Sequence, residues 1–368
     1  MLGWSKDPEN RPMGRVHDAA RARGDTGRGG GRPPRLLTSV LTLPLLAITV
    51  AAVLALAVWV TGDHDPGPPT ANPPGSFSFA ALGDSPYYLW ENGRYRGVLE
   101  DMGAHELSAV VHVGDLFETP CTRDRYQRSL IEFNSLPHPV IYTPGDNEWT
   151  DCWSHGGFQP LDRLAQIREI FFDDPGHSLG GRQIALDFQG AQEKFADYVE
   201  NARWTHENVV FATLHLVGSW NGMNSFPDRT AADDLESKQR TEAATAWMRE
   251  TFAEAKARGA PAVVLAFHGN PLFEEPADDS YRMSFEPFVE ALEQEVQAFG
   301  LPVLGIHGDW HEYTVDRPLA RRSDGLPLDN FTRLQVPGSP DIGWVRVIVT
   351  PNAAEPFTFE PRVIPFWR

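Results

Sequence analysis

Leu-Ser-Ala-Val-Val-His-Val-Gly-Asp, residues 107–115, is an apolar run that stops on a glycine and an aspartate. The same plan precedes it in Ser-Phe-Ser-Phe-Ala-Ala-Leu-Gly-Asp, residues 76–84. It recurs where Pro139-Val-Ile-Tyr-Thr143 runs into Pro144-Gly145-Asp146. Asp84, Asp115 and Asp146 are separated by 31 residues both times, and the stretches 95–105 and 125–134 between them read as helices. Strand and helix alternating at this period predict right-handed βαβ units and a parallel sheet. Ligands of such sheets gather at the carboxyl ends of the strands, where all three Gly-Asp pairs fall.

Further along, Asn208–Val217, Ala262–Phe267 and Leu301–Ile306 read as strands, the last two running into His268 and into His307-Gly-Asp-Trp-His311. Ala232–Arg258 reads as a long helix with an apolar face of Ala244, Trp247, Met248, Phe252 and Ala255, ended by Gly259 and Pro261. The tail, 331–336, 344–350 and 357–364, reads as short strands. Residues 153–205 hold one clear helix, 161–172, and otherwise read as an insertion or a lid.

The N-terminus is set apart from this pattern. Leu36–Val60 is 25 residues without a charge, preceded by eight Lys/Arg against four acids in residues 1–35. As a helix it would span about 37 Å, enough for a transmembrane anchor with a basic cytoplasmic segment before it. A signal peptide is the alternative, and both deliver the rest outside the cytoplasm. Residues 61–75 are a Pro/Gly-rich linker, and 76–368 form the working domain. That domain carries 24 basic and 44 acidic residues, net −20, which argues against nucleic acid as a partner and otherwise serves solubility.

The polar residues at strand ends are Asp84, Asp115, Asp146, His268, Asp309 and His311, and one parallel sheet would bring them to one edge. One Gly-Asp after a strand is ordinarily a turn or a helix cap, and one such histidine a surface residue. The ordered set is harder to explain that way, because gathered carboxylates repel unless a counter-charge joins them. Mixed carboxylate and imidazole donors fit a dinuclear metal site.

This order of motifs resembles the calcineurin-like metallophosphoesterases, which include the purple acid phosphatases. Val110-Val-His-Val-Gly-Asp-Leu-Phe-Glu118 and Gly308-Asp-Trp-His-Glu-Tyr313 carry the resemblance most clearly, and it extends over residues 77–349. It implies an α/β fold, a four-layer αββα sandwich with two metal ions at the strand ends. Asp84 and His311 would hold the first ion, Asp115 would bridge, and Asp146, His268 and Asp309 would hold the second. A metal-bound hydroxide would then hydrolyse a small phosphate mono- or diester.

The departures from the family pattern matter. Pro86 stands where the family has a histidine ligand. Glu118 occupies the position of a tyrosine ligand of purple acid phosphatases and is a possible extra ligand, with Tyr87 or Tyr88 as alternatives. Asp146 and Asp309 replace neutral ligands with hard oxygens, favouring Mn, Fe, Mg or Ca over Zn. Asn147 replaces the histidine that contacts phosphate and protonates the leaving group, and His155 in the same loop is a candidate substitute. Loss of a general acid costs about 10²–10⁴ in rate, so a non-catalytic, metal-stabilised phosphate- or ligand-binding module at the cell surface is the competing function. Cys121 and Cys152 each follow an aspartate of the set by six residues. If those aspartates end adjacent strands, the pair predicts a disulfide clamping two loops, against the alternative of two free thiols. His215 and Asn221 are placed either on the pocket wall or, more simply, in the core or a turn. Oligomeric state is not legible.

Overall fold

In the computed structural model, which describes residues 70–118, 120–154 and 156–363, β1 (Phe77–Leu82) is buried along its whole length. Its two faces serve different layers. Phe77, Phe79 and Ala81 pack against a second sheet, while Ala80 and Leu82 pack against helices, as the two-residue period of a strand requires. The basic segment 1–35, the apolar run 36–60 and most of the linker lie outside the described residues, as do Thr119 and His155. No helix among the described residues is long and apolar enough to cross a membrane.

β1, β2 (Val110–His112) and β3 (Val140–Tyr142) run parallel in the first sheet. The second sheet holds β4 (Asp187–Phe188), β5 (Ala202–His206), β6 (Val209–Thr213), β7 (Val263–Ala266), β8 (Val303–His307), β9 (Thr314–Asp316) and β10 (Phe331–Gln335). Within it β6, β7, β8 and β10 are parallel, and β4, β5 and β9 make antiparallel edges. The chain then returns to the first sheet, where β11 (Gly343–Val349) pairs antiparallel with β1 and β12 (Phe357–Val363) with β11.

Helices α1 (Asn92–Ala104), α2 (Arg123–Ser135) and α3 (Pro160–Phe171) cover the first sheet through Val98, Met102, Phe133 and Ile167. Helices α4 (Ala231–Arg258) and α5 (Glu286–Phe299) cover the second through Trp247, Phe252, Phe288 and Leu292. The layers therefore run helix, sheet, sheet, helix. The Thr230 hydroxyl and Asp233 carboxylate cap the start of α4, and Gly259, at φ 64°, ends it.

Two expectations need correction. The six strand-end residues do not share one parallel sheet: Asp84, Asp115 and Asp146 belong to the first sheet, and His268, Asp309 and His311 to the second. The change of sheet falls in residues 172–206, which are not a lid. Leu179 bridges Val140 at the edge of the first sheet, Ile184 and Leu186 plug the space between the sheets, and β4–β5 then edge the second. The Gly181 N–H on Leu136 O and the Arg182 guanidinium on Leu107 O hold this segment near the amino ends of β2 and β3, away from the aspartates. The end of the linker is fastened too, because buried Arg346 of β11 donates to Thr70 O and Asn72 Oδ1, both at 2.8 Å.

Phe79 is fully buried between the sheets, edge-on to Phe211 at 5.3 Å. Phe79→Ala is expected to lower stability by about 3–5 kcal/mol through lost burial and the cavity left behind. Urea denaturation should show a lower midpoint with an unchanged slope.

Candidate metal centre

Asp84, Asp115 and Asp146 follow β1, β2 and β3, and His268 and Asp309 follow β7 and β8. Four of the six strand-end residues turn the chain through the left-handed region: Asp84 (φ 54°), Asp115 (56°), Asp309 (75°) and His311 (64°). Aspartate tolerates that region better than most residues, yet each such turn is strained by about 1–3 kcal/mol. The backbone must also come very close to the carboxylates. A Cβ at Gly145 would run into the Asp115 carboxylate, and one at Gly308 into that of Asp84. Those glycines are therefore needed for access, not for flexibility.

Two triads result. Ligand atoms of Asp84, Asp115 and His268 lie within 4.8 Å of one another, as do those of Asp146, His268 and Asp309. His268, rather than Asp115, is common to both. Nδ1 of His268 lies 2.8 Å from Val113 O, and Nδ1 of His311 lies 2.7 Å from Ser339 O. A carbonyl only accepts, so Nδ1 carries the proton in each ring and Nε2 is turned onto the carboxylates. His268 Nε2 is 2.8 Å from Asp146 Oδ1 and 3.4 Å from Asp115 Oδ1, and His311 Nε2 is 3.7 Å from Asp84 Oδ1. The 2.8 Å pair is close without hydrogen-bond alignment, and Asp84 Oδ2, Asp146 Oδ1 and His268 Nε2 are buried with no hydrogen-bond partner. Three orphaned donor atoms of hard-oxygen and imidazole type, in two triads that share His268, fit divalent cations.

The remaining oxygens are oriented. Asp84 Oδ1 accepts from Asp309 N–H at 2.9 Å, and Asp115 Oδ1 from Asn147 N–H at 3.0 Å. The Tyr87 hydroxyl donates to Asp115 Oδ2 at 2.6 Å and stands 3.1 Å from His311 Nε2. Ser219 Oγ–H lies 2.8 Å from both Asp146 Oδ2 and Asp151 Oδ2, and Tyr281 O–H donates to Asp309 Oδ2 at 3.0 Å. Ser219, Asp151 and Tyr281 escaped the sequence reading. Only the Gly-Ser-Trp-Asn-Gly turn after β6 offered a signal for Ser219, and Tyr281 reaches Asp309 by a purely tertiary contact.

Of the other singled-out residues, Glu118 is half-buried and bonded to Tyr88, outside both triads. Asn147 is half-buried on the Asp146 turn, its N–H spent on Asp115. His155 lies outside the described residues. His215 is buried with Nδ1 2.6 Å from Glu200 Oε1, and buried Asn221 binds Arg240 and Thr241; both are structural. Cys121 and Cys152 form a disulfide, Cα–Cα 5.7 Å, joining the loops after β2 and β3.

Burial pushes the carboxyl groups of Asp84 and Asp115 above the usual carboxylate range, for Asp115 far above it. Burial and then the Asp146 charge raise Asp309 to about 6 and Asp151 to about 7. For His268 burial opposes the charged form, but Asp115, Asp146 and Asp84 outweigh it and hold the pKa well above the usual histidine value. Without metal, the site is a proton sponge.

No protein-family model and no curated protein matches the chain. Among solved structures it is similar to PhoD, at 14% identity and TM-score 0.47, covering 80% of this chain and 69% of that one. It is also similar to a 5'-nucleotidase from Candida albicans, at 11% identity and TM-score 0.39, covering 81% of this chain and 53% of that one. A third is the phosphopantetheinyl hydrolase of Mycobacterium tuberculosis, at 16% identity and TM-score 0.35, covering 72% and 90%. These three TM-scores lie below 0.5, and the function must be read from this chain's own residues. Its layer order is the αββα sandwich expected from the motif resemblance.

The proton balance gives a test. Asp309 and Asp151 ionise near 6 and 7 in the folded chain against 3.8 ordinarily, and His268 is raised as well. These three groups therefore contribute stability to the folded, metal-free protein that grows as pH falls from about 8 to about 6, opposed by His112, His215 and His307, whose pKa values burial lowers. The metal-loaded protein should be more stable at pH 8 and lose stability over the same interval, because protons compete for the ligands. Melting temperatures with chelator and with Mn²⁺ should converge as the pH falls.

Proposed function

We propose that the chain is a metal-dependent phosphoesterase acting on small phosphate mono- or diesters, with Asp84, Asp115, Asp146, His268, Asp309 and His311 as the ligands of two ions. The observation that carries this reading is the pair of buried carboxylate–imidazole triads that share His268, with Asp84 Oδ2, Asp146 Oδ1 and His268 Nε2 left without a hydrogen-bond partner. Two cations bound there would neutralise the carboxylates, polarise a phosphoryl group and lower the pKa of a water molecule. Oxygen-rich donors favour Mn, Fe or Mg over Zn.

The chain's own residues would set the geometry of the reaction. Asp115 is fixed by the Tyr87 hydroxyl and the Asn147 N–H, so it presents its carboxylate in one orientation. Tyr87, rather than Glu118, stands against His311, and its oxygen is the better candidate for an extra donor to the first ion. The Asn147 side chain can donate a hydrogen bond to a phosphate oxygen but cannot release a proton to a leaving group. The disulfide fits an oxidising compartment, in keeping with an extracytoplasmic domain anchored to the membrane by residues 36–60. The second reading, a metal-stabilised binding module, is favoured by Asn147 alone.

Metal content and turnover decide between them. Purified protein is expected to hold close to two metal ions per chain and, with Mn²⁺, to hydrolyse an aryl phosphodiester or monoester. Asp115→Asn should lower kcat/KM about a hundredfold or more. Absence of bound metal would end the phosphoesterase reading, and metal without turnover of any ester would establish the module. A separate consequence follows from the missing acid. Alkyl esters, with poor leaving groups, should react about 10²–10⁴ times more slowly than aryl esters, and Asn147→His should narrow that gap.

A further inference from the structure

Among the described residues, the large aromatic side chains that remain exposed lie on the loops that carry or flank the candidate ligands. Tyr88, Leu89 and Trp90, the last 65% exposed, follow Asp84. Trp220, 46% exposed, stands in the turn after β6, and Trp310, 54% exposed, lies between Asp309 and His311 with Tyr313 just beyond. These loops come from both sheets and meet at the same edge. A concentration of this kind marks a binding surface, whereas scattered single residues would not.

The rim is held in place at some cost. Ser219, Trp220 and Asn221 all adopt left-handed backbone, with φ 51°, 55° and 51°. A run of three such non-glycine residues is strained throughout. Their neighbours hold the conformation. Ser219 Oγ contacts Asp146 and Asp151, and the Asn221 Oδ1 accepts from Arg240 at 2.6 Å. The effect is to present the Trp220 indole over Tyr281, ring centres 5.2 Å apart, and Tyr281 in turn holds Asp309. On the opposite loop Tyr88 and Trp90 stack nearly parallel, 4.4 Å apart with 7° between planes, making a flat aromatic wall. A lipid surface would call for cationic side chains among the aromatics. The stretches 84–92, 218–224 and 309–313 contain no Lys or Arg.

We propose that this rim is a stacking subsite, and that the phosphate ester accepted here carries a flat aromatic or heteroaromatic group. The inference rests on the phosphoesterase reading for the phosphate and on the rim for the ring. Trp and Tyr faces stack on any planar π system, which gives affinity without demanding a particular pattern of hydrogen bonds.

Phosphonates separate binding from turnover, because their carbon–phosphorus bond is not hydrolysed. Calorimetric titration of the full chain loaded with Mn²⁺ should show 1-naphthylmethylphosphonate binding at least about tenfold more tightly than butylphosphonate. Trp90→Ala and Trp310→Ala should each remove much of that preference, lowering the affinity for the naphthyl probe by a larger factor than that for butylphosphonate. Trp90→Phe and Trp310→Phe, which keep a flat ring, should retain it. Equal binding of the two probes, octylphosphonate binding as well as the naphthyl probe, equal losses for both probes in the variants, or no binding at all would overturn the proposal. Ring-selective binding without hydrolysis of any ester would sink the phosphoesterase reading and leave the subsite standing. Hydrolysis without ring selectivity would do the reverse.

Discussion

Negative charge gathered at the seam between two sheets is the constraint from which most of this molecule follows. Asp84, Asp115, Asp146 and Asp309 converge there, with Glu148 and Asp151 close behind, and the ion-pair partners of the first three are His268 and His311. Buried carboxylates repel one another and lose their hydration, so an apo site of this kind can exist only by taking up protons or cations. The raised carboxyl and imidazole pKa values are the first solution. The orphaned oxygens and the Nε2 lone pair are the geometry of the second. Strained left-handed turns at four of the six candidate ligands are tolerated because the surrounding sheets over-determine them.

That over-determination is itself built from carboxylates. Glu148 is fully buried and accepts from Leu116 N–H, Gly145 N–H and the Tyr142 hydroxyl, tying the Asp115 loop to the Asp146 loop. The Cys121–Cys152 disulfide joins the same two loops further out. Glu91 plays the corresponding part on the other side, accepting from Tyr87 N–H and the Ser339 hydroxyl, while Ser339 O receives the His311 Nδ1 proton. A carboxylate that accepts several backbone N–H groups organises loops more rigidly than an apolar contact could, since hydrogen bonds to a charged acceptor are strong and directional. The candidate ligands are thus backed by an outer layer of acid, Glu91 and Glu148, that fixes the backbone around them.

The candidate ligand set was largely legible in the sequence, and the reason is local. A strand ending in Gly-Asp announces its own carboxyl end, and the repeat of 31 residues announces adjacency, so Asp84, Asp115, Asp146 and the cysteine pair followed from spacing. The division into two sheets came from the resemblance of the motifs and not from the strands themselves, because strands buried on both faces, such as β1 and β7, look alike whichever layer they join. Residues 172–206 carry little periodicity, since much of that stretch is irregular backbone sealing an edge. Helix α5 was overlooked although Phe288, Leu292 and Val296 recur every four residues, a signal that was present and unread. Tyr87, Tyr281 and Ser219 act through contacts formed only after folding, and no local pattern encodes which carboxylate each will reach.

Those three hydroxyls bear on how the centre differs from the family pattern it resembles. Where a neutral ligand is expected, Asp146 and Asp309 add two negative charges, and each arrives with a donor of its own, Ser219 for Asp146 and Tyr281 for Asp309. Asp309 also receives the Asn270 N–H at 3.0 Å. A donor on one carboxylate oxygen stabilises the extra charge while leaving the other oxygen to face a cation, so the substitution need not destroy the site. Asp146 shows the balance directly: burial works to raise its pKa, but His268 and the Ser219 hydroxyl outweigh it and hold the carboxyl below the usual range. A drifting, purposeless site would be expected to acquire the charges without the donors. Each added carboxylate thus has a hydroxyl of its own, and under the proposed phosphoesterase reading that pairing would suit harder cations.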